Sequence, residues 1–417
     1  MNLVAKSAAL ISLFIGTIPV CAQTAPSPYG VHSHVTRNDE HRFTEGEFEL
    51  MKQANIKWLR TGFVWAAIIK RDGQFVFDNH DKVVAEAEKH GISIMGLLHG
   101  APGWATPIKE HHKEWLQFVE ETVTRYKERV PAWQVWNEPN IGGFWENPNP
   151  DDYAALLKPT YRLIKSIDPR ARVVFGGNSQ FDWNFMNRVL ELAPNSFDVM
   201  SVHPYGYALT KAPEAYIPGT VAEIRVLMKS HGIQDRPIWF TEWGWPTHSG
   251  RSGLSEGDQA NHLVRAHILA LTAGLERGFW YEFQATEKHD DDQEHHFGIL
   301  HFDLKPKPAF NALAVLIEMR PPGSKPLQGA YHQRLFYYPG WTTPDEKIVY
   351  AFWDSYGRGA KQRKQIISYE GNVPKAFDLY GRRLELEVNE KEKTAVLLPE
   401  WGKPRYLICS GRITVTP

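Results

Sequence analysis

The chain repeats a short apolar stretch followed by an amphipathic stretch eight times between Tyr29 and about Met319. The apolar stretches have the length and the β-branched or aromatic content of buried strands, and strands that alternate with helices pair in parallel. The strand candidates are YGVHSHV (from Tyr29), KWLRTGFVW (Lys57), ISIMGLLHG (Ile92), AWQVWNEPN (Ala132), RVVFGGNS (Arg172), DVMSVHPYG (Asp198), PIWFTEWGW (Pro237) and RGFWYEFQ (Arg277).

The stretches between the strands are predicted to be helices, because their apolar residues recur at spacings of three and four. Examples are EGEFELMKQANI, DKVVAEAEKHG, EWLQFVEETVTRYKERV, YAALLKPTYRLIKSID and DQANHLVRAHILALTAGLE. Eight strand–helix units predict an α/β fold with a closed (β/α)8 TIM barrel. An open doubly wound sheet is the alternative, but no glycine-rich phosphate-binding turn follows the first strand.

A second domain is predicted after the barrel. Beyond Pro321 the pattern changes to short strands such as RLFYYPGW, KIVYAFWDS and RYLICSG, separated by turn residues. We therefore expect the barrel over 23–320 and a small C-terminal antiparallel β-sandwich-like domain over 321–417. This domain either supports the barrel or binds carbohydrate.

The N-terminus has the pattern of a secretory signal peptide. Lys6 precedes an apolar stretch from Ala8 to Val20, and small residues surround Ala22. This stretch is too short for a comfortable membrane span. We expect cleavage after residue 22 and export to the periplasm or the exterior of a bacterial cell, with Cys409 as the single remaining cysteine and hence no internal disulfide.

The charge balance limits the partners. With 47 basic and 48 acidic residues the formal net charge is -1, which argues against a broad positive surface for nucleic acid or anionic lipid. The 15 tryptophans supply flat apolar rings of the kind that stack on sugars, although core packing uses most aromatic residues. An oligosaccharide or polysaccharide is the expected partner.

Two glutamates are placed to act together. The active site of such a barrel forms at the C-terminal ends of the strands, where the fourth strand delivers Asn137 and Glu138 and the seventh delivers Glu242. Glycoside hydrolysis needs one protonated and one ionised carboxyl group. The apolar neighbours Trp136 and Pro139 favour a raised pKa for Glu138. The alternative is that these glutamates are surface residues or ion-pair partners.

The motifs QVWNEPN and FTEWGW together resemble the acid/base and nucleophile motifs of clan A glycoside hydrolases, which are retaining enzymes built on this barrel. The resemblance implies that Glu138 is the general acid/base, that Glu242 is the nucleophile, and that Asn137 hydrogen-bonds the sugar 2-hydroxyl. It also implies carboxyl groups about 5–5.5 Å apart.

With SVHPYGY and HFGILHFDLKPKPAFNAL, the chain is most similar to glycoside hydrolase family 39 and its relatives. That group includes β-xylosidases, iduronidases and exopolysaccharide-cleaving endoglycosidases. The segment FWYEFQATEKHDD departs from the β-xylosidase pattern, so xylose specificity does not follow.

Three further residues match the clan. Arg60, in WLRTGFVW, is expected to hold Glu242 ionised, or to form a structural ion pair under the barrel rim. His203 and Tyr205 are two residues apart and should point the same way, into the barrel mouth. In the clan the matching tyrosine often bonds the nucleophile.

Residues for outer subsites are predicted from the later strand ends and loops. Trp280 and Glu282 alternate in FWYEFQ and are expected to face the pocket, as a sugar platform and a hydroxyl acceptor, with a buried ion pair as the alternative for Glu282. His99, Trp104 and Trp145 follow the third and fourth strands and either line subsites or pack their loops.

The run EKHDDDQEHHFGIL, from Glu287, is rich in His and Asp but lacks the spacing of zinc or calcium sites. We expect this run to form a polar loop that covers the cleft, with at most one histidine in contact with substrate. We expect no metal or cofactor.

The sequence thus predicts a retaining glycoside hydrolase that cleaves β-linked oligo- or polysaccharides by double displacement. A transglycosylase would use the same residues with a sugar acceptor, and a non-catalytic carbohydrate-binding protein is the competing class. A metal-dependent hydrolase would need more His and Asp at the strand ends than the chain offers.

Overall fold

The computed structural model describes residues 26–37, 44–70, 72–205, 212–286, 292–329, 331–355 and 363–416. Nine parallel strands of this part of the chain form one sheet: β1 (Tyr29–His32), β2 (Trp58–Val64), β3 (Ser93–His99), β4 (Ala132–Val135), β5 (Arg172–Val174), β6 (Asn178–Ser179), β7 (Met200–His203), β8 (Ile238–Trp243) and β9 (Arg277–Trp280). Their spatial order is β5-β4-β3-β2-β1-β9-β8-β7-β6.

The sheet closes into a barrel between β5 and β7. Val174 forms a parallel bridge with Val199, and the Phe175 N–H donates to the Val199 carbonyl at 3.0 Å. One predicted strand supplies both β5 and β6, because the chain is interrupted at Gly177, where φ is 61°. A Cβ at Gly177 would collide with the imidazole of His203. The predicted TIM barrel is confirmed, with its fifth strand bent around this histidine.

Helices cover the outside of the sheet: α1 (Thr44–Gln53), α2 (Trp65–Ile68), α3 (Asp78–His90), α4 (His112–Arg125), α5 (Pro150–Ile167), α6 (Trp183–Leu192), α7 (Ile217–Ser230), α8 (Glu256–Thr272) and α9 (Pro308–Met319). Three of the helices, α5, α6 and α8, begin with a side-chain cap. The Asn149 side chain accepts a hydrogen bond from the Asp151 N–H at the start of α5, and Ser255 accepts one from Asp258 at the start of α8. Since these caps satisfy backbone donors locally, the three capped helices begin at defined residues.

Aromatic and cationic side chains fill the N-terminal end of the barrel. Trp58, Trp239 and Phe279 form a buried cluster there. The guanidinium carbon of Arg277 lies 3.8 Å from the ring centroid of Trp58 and 4.4 Å from that of Trp239, and Arg277 Nε donates to the Ser27 carbonyl at 2.9 Å. Because this cluster fills the N-terminal end of the barrel, an active site can form only at the opposite, C-terminal end of the strands.

The chain after α9 forms two antiparallel sheets. Their strands are β10 (Lys325–Pro326), β11 (His332–Gln333), β12 (Phe336–Tyr337), β13 (Gly340–Thr342), β14 (Ile348–Asp354), β15 (Gln365–Tyr369), β16 (Lys375–Phe377), β17 (Arg383–Leu384), β18 (Glu387–Asn389), β19 (Thr394–Leu397), β20 (Arg405–Cys409) and β21 (Ile413–Val415). One sheet runs β10-β13-β14-β20-β16-β17 and the other β18-β19-β15-β21. Phe352 and Leu407 of the first sheet share a core with Ile367 and Leu397 of the second, so the predicted sandwich-like arrangement is confirmed.

The antiparallel sheets are joined to the barrel by buried polar contacts. Glu214, in the loop before α7, accepts from Arg265 of α8 at 2.8 Å and from the indole of Trp353 at 2.6 Å. The indole of Trp341 donates to the Met319 carbonyl at 2.8 Å. The exact domain boundaries and a glycan-binding role for the sheets stay predictions.

None of the helices in the described ranges has the length and apolar character needed to cross a membrane. Residues 1–22, on which the export prediction depends, lie outside those ranges.

Candidate active site

The chain bends just after β4 and turns Glu138 into the barrel mouth. Trp136 and Glu138 have φ angles of 70° and 44°, in the left-handed region that non-glycine residues seldom adopt. The Glu138 N–H donates to the Gly176 carbonyl at 2.9 Å. The Asn140 side chain donates to the Ser179 carbonyl at 3.0 Å and accepts from the Ser179 N–H at 2.9 Å. Such backbone conformations persist where the surroundings fix them, and they concentrate at functional sites.

Arg60 lies in the middle of β2, with no exposed surface, and organises the other carboxylate. Its Nη1 donates to Glu242 Oε1 at 2.5 Å and lies 2.8 Å from His32 Nδ1. Its Nε donates to Gln134 Oε1 at 3.0 Å, and its Nη2 donates to Asn137 Oδ1 at 2.8 Å. A single guanidinium therefore orients both Glu242 and Asn137, as its planar fork of donors allows.

His203 and Tyr205 both reach the carboxylate pair, as their two-residue spacing predicts. His203 Nδ1 lies 2.8 Å from Glu138 Oε1, and its Nε2 lies 2.9 Å from the Thr241 hydroxyl. The Tyr205 hydroxyl donates to Glu242 Oε2 at 3.3 Å. Complete burial lowers the pKa of His203 to about 3, so its ring is neutral at neutral pH.

The two carboxylates have different surroundings. Burial raises the pKa of Glu138 to about 7, against the opposing effects of the Arg60 charge and a hydrogen bond from Ser179. Glu242 instead receives hydrogen bonds from Arg60 and Tyr205. A carboxyl group that keeps its proton at neutral pH suits a general acid, and one held by a cation suits a nucleophile.

The pair opens into a cleft of about 490 Å³ at the C-terminal end of the strands. The lining residues are His32, His34, Thr36, Arg37, Arg60, Gly62, Val64, Leu97, His99, Asn137, Glu138, Phe144, Ser179, Tyr205, Glu242, Tyr281, Gln293, Glu294 and Phe297.

Sequence reasoning missed Tyr281 and Glu294. Burial raises the pKa of Glu294, and the Asp292 and Glu138 charges add to that effect. His32 and His34 were missed too, although they lie at the end of a strand, where barrel sites form.

The prediction that Trp280 is a sugar platform is wrong. Its ring is fully buried on the outer face of the sheet, where its centroid lies 5.7 Å from Trp245 and 6.2 Å from His267 of α8. Phe279, the residue before it, faces the barrel interior. Since successive strand side chains alternate, Trp280 must face the helices, and Tyr281 occupies the cleft instead.

Glu282 does not lie where a hydroxyl acceptor was predicted, and the alternative of a buried ion pair stays a prediction. It is completely buried, it does not line the cleft, and its Oε2 lies 3.5 Å from His34 Nε2. The hydroxyl-acceptor prediction is therefore wrong, because the carboxylate does not reach the cleft.

The three loop residues have three different positions. His99 lines the cleft, and burial, with the Arg60 and Arg37 charges, lowers its pKa to about 3. Trp145 is 2% exposed and packs its ring 5.2 Å from that of Trp136, outside the cleft. Trp104 is 52% exposed and does not line the cleft.

Glu138, His203 and Glu242 form the one cluster in the described ranges whose ligand atoms could hold a metal ion, all lying within 4.8 Å of one another. A cation there would be next to the Arg60 guanidinium, and like charges repel strongly in a buried site. The cluster therefore suits proton transfer better than metal binding.

Residues 287–291 of the histidine- and aspartate-rich loop lie outside the described ranges. Contact of a loop histidine with substrate stays a prediction.

Comparisons with known proteins agree with this geometry. The family model described as Cellulase (glycosyl hydrolase family 5) matches residues 25–273. A family 39 glycoside hydrolase from the gut symbiont Bacteroides cellulosilyticus WH2 superposes with a TM-score of 0.79 at 23% identity, over 92% of this chain and 81% of that one. This likeness shows the fold.

Curated relatives match over shorter stretches. A β-xylosidase of Geobacillus stearothermophilus is 33% identical over 122 residues, which is 27% of this chain and 23% of the relative. A probable mannan endo-1,4-β-mannosidase C of Aspergillus terreus is 25% identical over 202 residues, 43% of this chain and 46% of the relative. The chain thus spans less than half the length of these two relatives. The family model covers more than half of the chain, and the chain belongs to the cellulase family, glycosyl hydrolase family 5, among the clan A glycoside hydrolases.

Proposed function

We propose that the protein hydrolyses β-linked oligo- or polysaccharides with retention of anomeric configuration, with Glu242 as nucleophile and Glu138 as general acid/base. The observation that carries the proposal is the carboxylate pair itself: one oxygen of each group lies within 4.8 Å of the other. Retaining glycosidases hold their carboxyl groups about 5–5.5 Å apart, whereas inverting ones leave about 6.5–9.5 Å for a water. The short separation favours direct attack.

In the first step Glu242 attacks the anomeric carbon, and the Glu138 proton passes to the glycosidic oxygen as its bond to that carbon breaks. Arg60 and Tyr205 hold the nucleophile in place through hydrogen bonds to its two oxygens. In the second step the ionised Glu138 takes a proton from water, and the water oxygen displaces Glu242 from the sugar. Each inversion cancels the other, which gives net retention.

His203 and Asn137 support this cycle. A neutral imidazole 2.8 Å from Glu138 can hydrogen-bond both the protonated and the ionised carboxyl group, as the acid/base exchange requires. Arg60 fixes the Asn137 oxygen at 2.8 Å, so the amide NH2 is free to donate to the sugar 2-hydroxyl. We assign Asn137 this role on the resemblance to the clan.

The substrate class is part of the proposal. The curated relatives include a β-xylosidase and a probable endo-β-mannosidase, so β-xylans, β-mannans and β-glucans are the first substrates to test. Export of the enzyme after removal of 1–22 is also proposed. Fractionation of cells that express the full chain, with N-terminal sequencing of the product, tests it.

The test of the mechanism is stereochemical. The anomeric proton of the first product is followed by NMR for wild type, Glu242→Ala, Glu138→Ala and the exposed control Glu120→Ala. We expect a β-product from wild type and the control, and loss of turnover in both site variants. On an activated aryl β-glycoside, whose leaving group departs without a proton, azide should rescue Glu242→Ala as an inverted glycosyl azide and Glu138→Ala as a retained one, because it takes the place of the nucleophile in the first and of the base-activated water in the second. An inverted wild-type product would remove the nucleophile role of Glu242.

A further inference from the structure

The basic and acidic side chains that line the catalytic cleft come from different parts of the barrel. The chain from β1 to β3 supplies the basic ones, which are His32, His34, Arg37, Arg60 and His99. The chain after β4 supplies the acidic ones, which are Glu138, Glu242 and Glu294. A substrate in the cleft therefore meets basic groups on the β1–β3 side.

Of the two arginines in this lining, one is already bound within the protein. Arg60 donates to Glu242 at 2.5 Å and to Asn137 at 2.8 Å. Arg37, in the loop after β1, is exposed, and across the described ranges its side chain has no hydrogen bond or ion pair. A guanidinium in this position is available to an anionic group of a ligand, which it can bind through two parallel hydrogen bonds.

The backbone that carries Arg37 is fixed. The Arg37 N–H donates to the His34 carbonyl at 2.9 Å. In the preceding residue, the Thr36 hydroxyl donates to the Gly62 carbonyl of β2 at 2.7 Å, and the Thr36 carbonyl accepts from the Asn79 side chain of α3 at 2.7 Å. The Arg37 side chain therefore leaves the cleft wall at a defined point, so that the backbone at this point is ordered before a ligand binds.

His99 adds a hydrogen-bond donor near this charge. The Arg37 charge is one of the causes that lower the pKa of His99 to about 3, and such an effect weakens with distance. The His99 ring is therefore neutral at neutral pH, and one of its nitrogens carries a proton that it can donate. A cation and a neutral N–H on one wall suit a carboxylate better than a sugar hydroxyl.

The carboxyl groups of the cleft do not balance the Arg37 charge. Glu242 is paired with Arg60. Burial raises the pKa of Glu138 to about 7, and burial also raises the pKa of Glu294, so both carry less negative charge near neutral pH than an exposed carboxylate does. A neutral glycan would only displace water from the Arg37 guanidinium, whereas an anionic glycan would replace that water with an ion pair.

We propose that the substrate is an anionic glycan, a β-linked chain that carries uronic acid carboxylates, and that Arg37 and His99 bind one of these carboxylates in the cleft. This inference rests on the proposed function and names the substrate class of the same site. It requires only a local positive group, and so it agrees with a chain whose formal net charge is -1.

The test compares each acidic glycan with its carboxyl-reduced form, in which a CH2OH group replaces each carboxylate. The probes are glucuronoxylan, β-1,4-glucuronan and xanthan. For the glycan that is cleaved, we expect wild type to show a kcat/KM about tenfold higher for the acidic form, the order of one hydrogen bond to a charged group. Arg37→Ala should remove this preference, and Arg37→Lys, which keeps the charge, should restore most of it. Added sodium chloride should lower the preference in wild type, because salt screens an exposed ion pair.

Arg382→Ala is the matched control, because Arg382 is also exposed and lies between β16 and β17, outside the cleft lining. It should leave the preference unchanged. Equal turnover of the acidic and reduced forms by wild type, an unchanged preference in Arg37→Ala, or cleavage of neutral β-glycans alone would overturn the anionic substrate while leaving the proposed function intact. Turnover of no acidic, reduced or neutral glycan would overturn the proposed function, and this inference with it.

Discussion

Replacing Glu138 by glutamine should stabilise the protein, by an amount that grows with pH. Burial raises the pKa of this carboxyl from 4.5 to about 7. The folded protein therefore binds this proton more tightly than the unfolded chain does. The stability that follows from this proton is fully present below pH 4.5 and is lost as the pH rises through about 7. Glutamine has no such proton, so the variant escapes the loss.

The magnitude follows from the two pKa values. With one pKa unit equal to about 1.4 kcal/mol, the advantage of Glu138→Gln over wild type should increase by roughly 2–3 kcal/mol between about pH 5 and pH 8. Titrating groups remote from Glu138 change the stability of both proteins alike, so the difference between them reports Glu138 together with Glu294, whose pKa the Glu138 charge helps to raise. Glu138 is only 6% exposed, so solvent screening reduces this stability difference little.

Urea unfolding followed by tryptophan fluorescence at several pH values measures this difference directly. Glu120→Gln, on the exposed face of α4, controls for removal of a carboxylate as such. Parallel stability curves for wild type and Glu138→Gln would refute the reasoning, since they would mean that Glu138 is not held protonated by burial.

Three further predictions test other parts of the site. The kcat/KM for an oligosaccharide should fall about tenfold per pH unit above about 7, where Glu138 loses its proton; a glycosyl fluoride, which needs little acid assistance, should show a weaker fall, and identical profiles would contradict the acid role. Arg60→Met should cost about 3–5 kcal/mol in urea unfolding, because it leaves the Glu242 charge without its cation, and should lower kcat/KM more than about 100-fold; a normal kcat/KM would contradict its role. Trp280→Ala should cost about 3–5 kcal/mol of stability with little effect on kcat/KM per folded molecule. Tyr281→Ala should instead lower kcat/KM and cost less stability. Equal effects of the two variants on both quantities would contradict their assigned faces.

The barrel was predictable because its signal repeats along the chain. Eight strand candidates separated by helical periodicity leave few alternatives once parallel pairing is assumed. What the pattern did not predict is the break between β5 and β6. That break depends on the approach of Gly177 to His203, two residues far apart in sequence, and no local pattern encodes such a contact.

The catalytic pair was predictable for a different reason. Glu138 and Glu242 follow strands, and barrel geometry brings strand ends together whatever the loops do. Glu294 was not, because it lies on the loop after β9 and only the path of that loop decides whether its carboxylate enters the cleft. Its position in a run of acidic and histidine residues gave no signal that it differed from its neighbours.

Trp280 shows where alternation alone is insufficient. A period of two predicts which residues share a face, but it does not say which face is inside, and both choices for FWYEFQ leave aromatic residues in the mouth. The choice is made at the start of the strand, where Arg277 stacks on Trp58 and Trp239 inside the barrel. From Arg277 the inward positions are 277 and 279, and the next is Tyr281. A cation among the first residues of a barrel strand, with tryptophans at the starts of other strands to stack on across the barrel, is therefore a signal for the inward face that a sequence can provide.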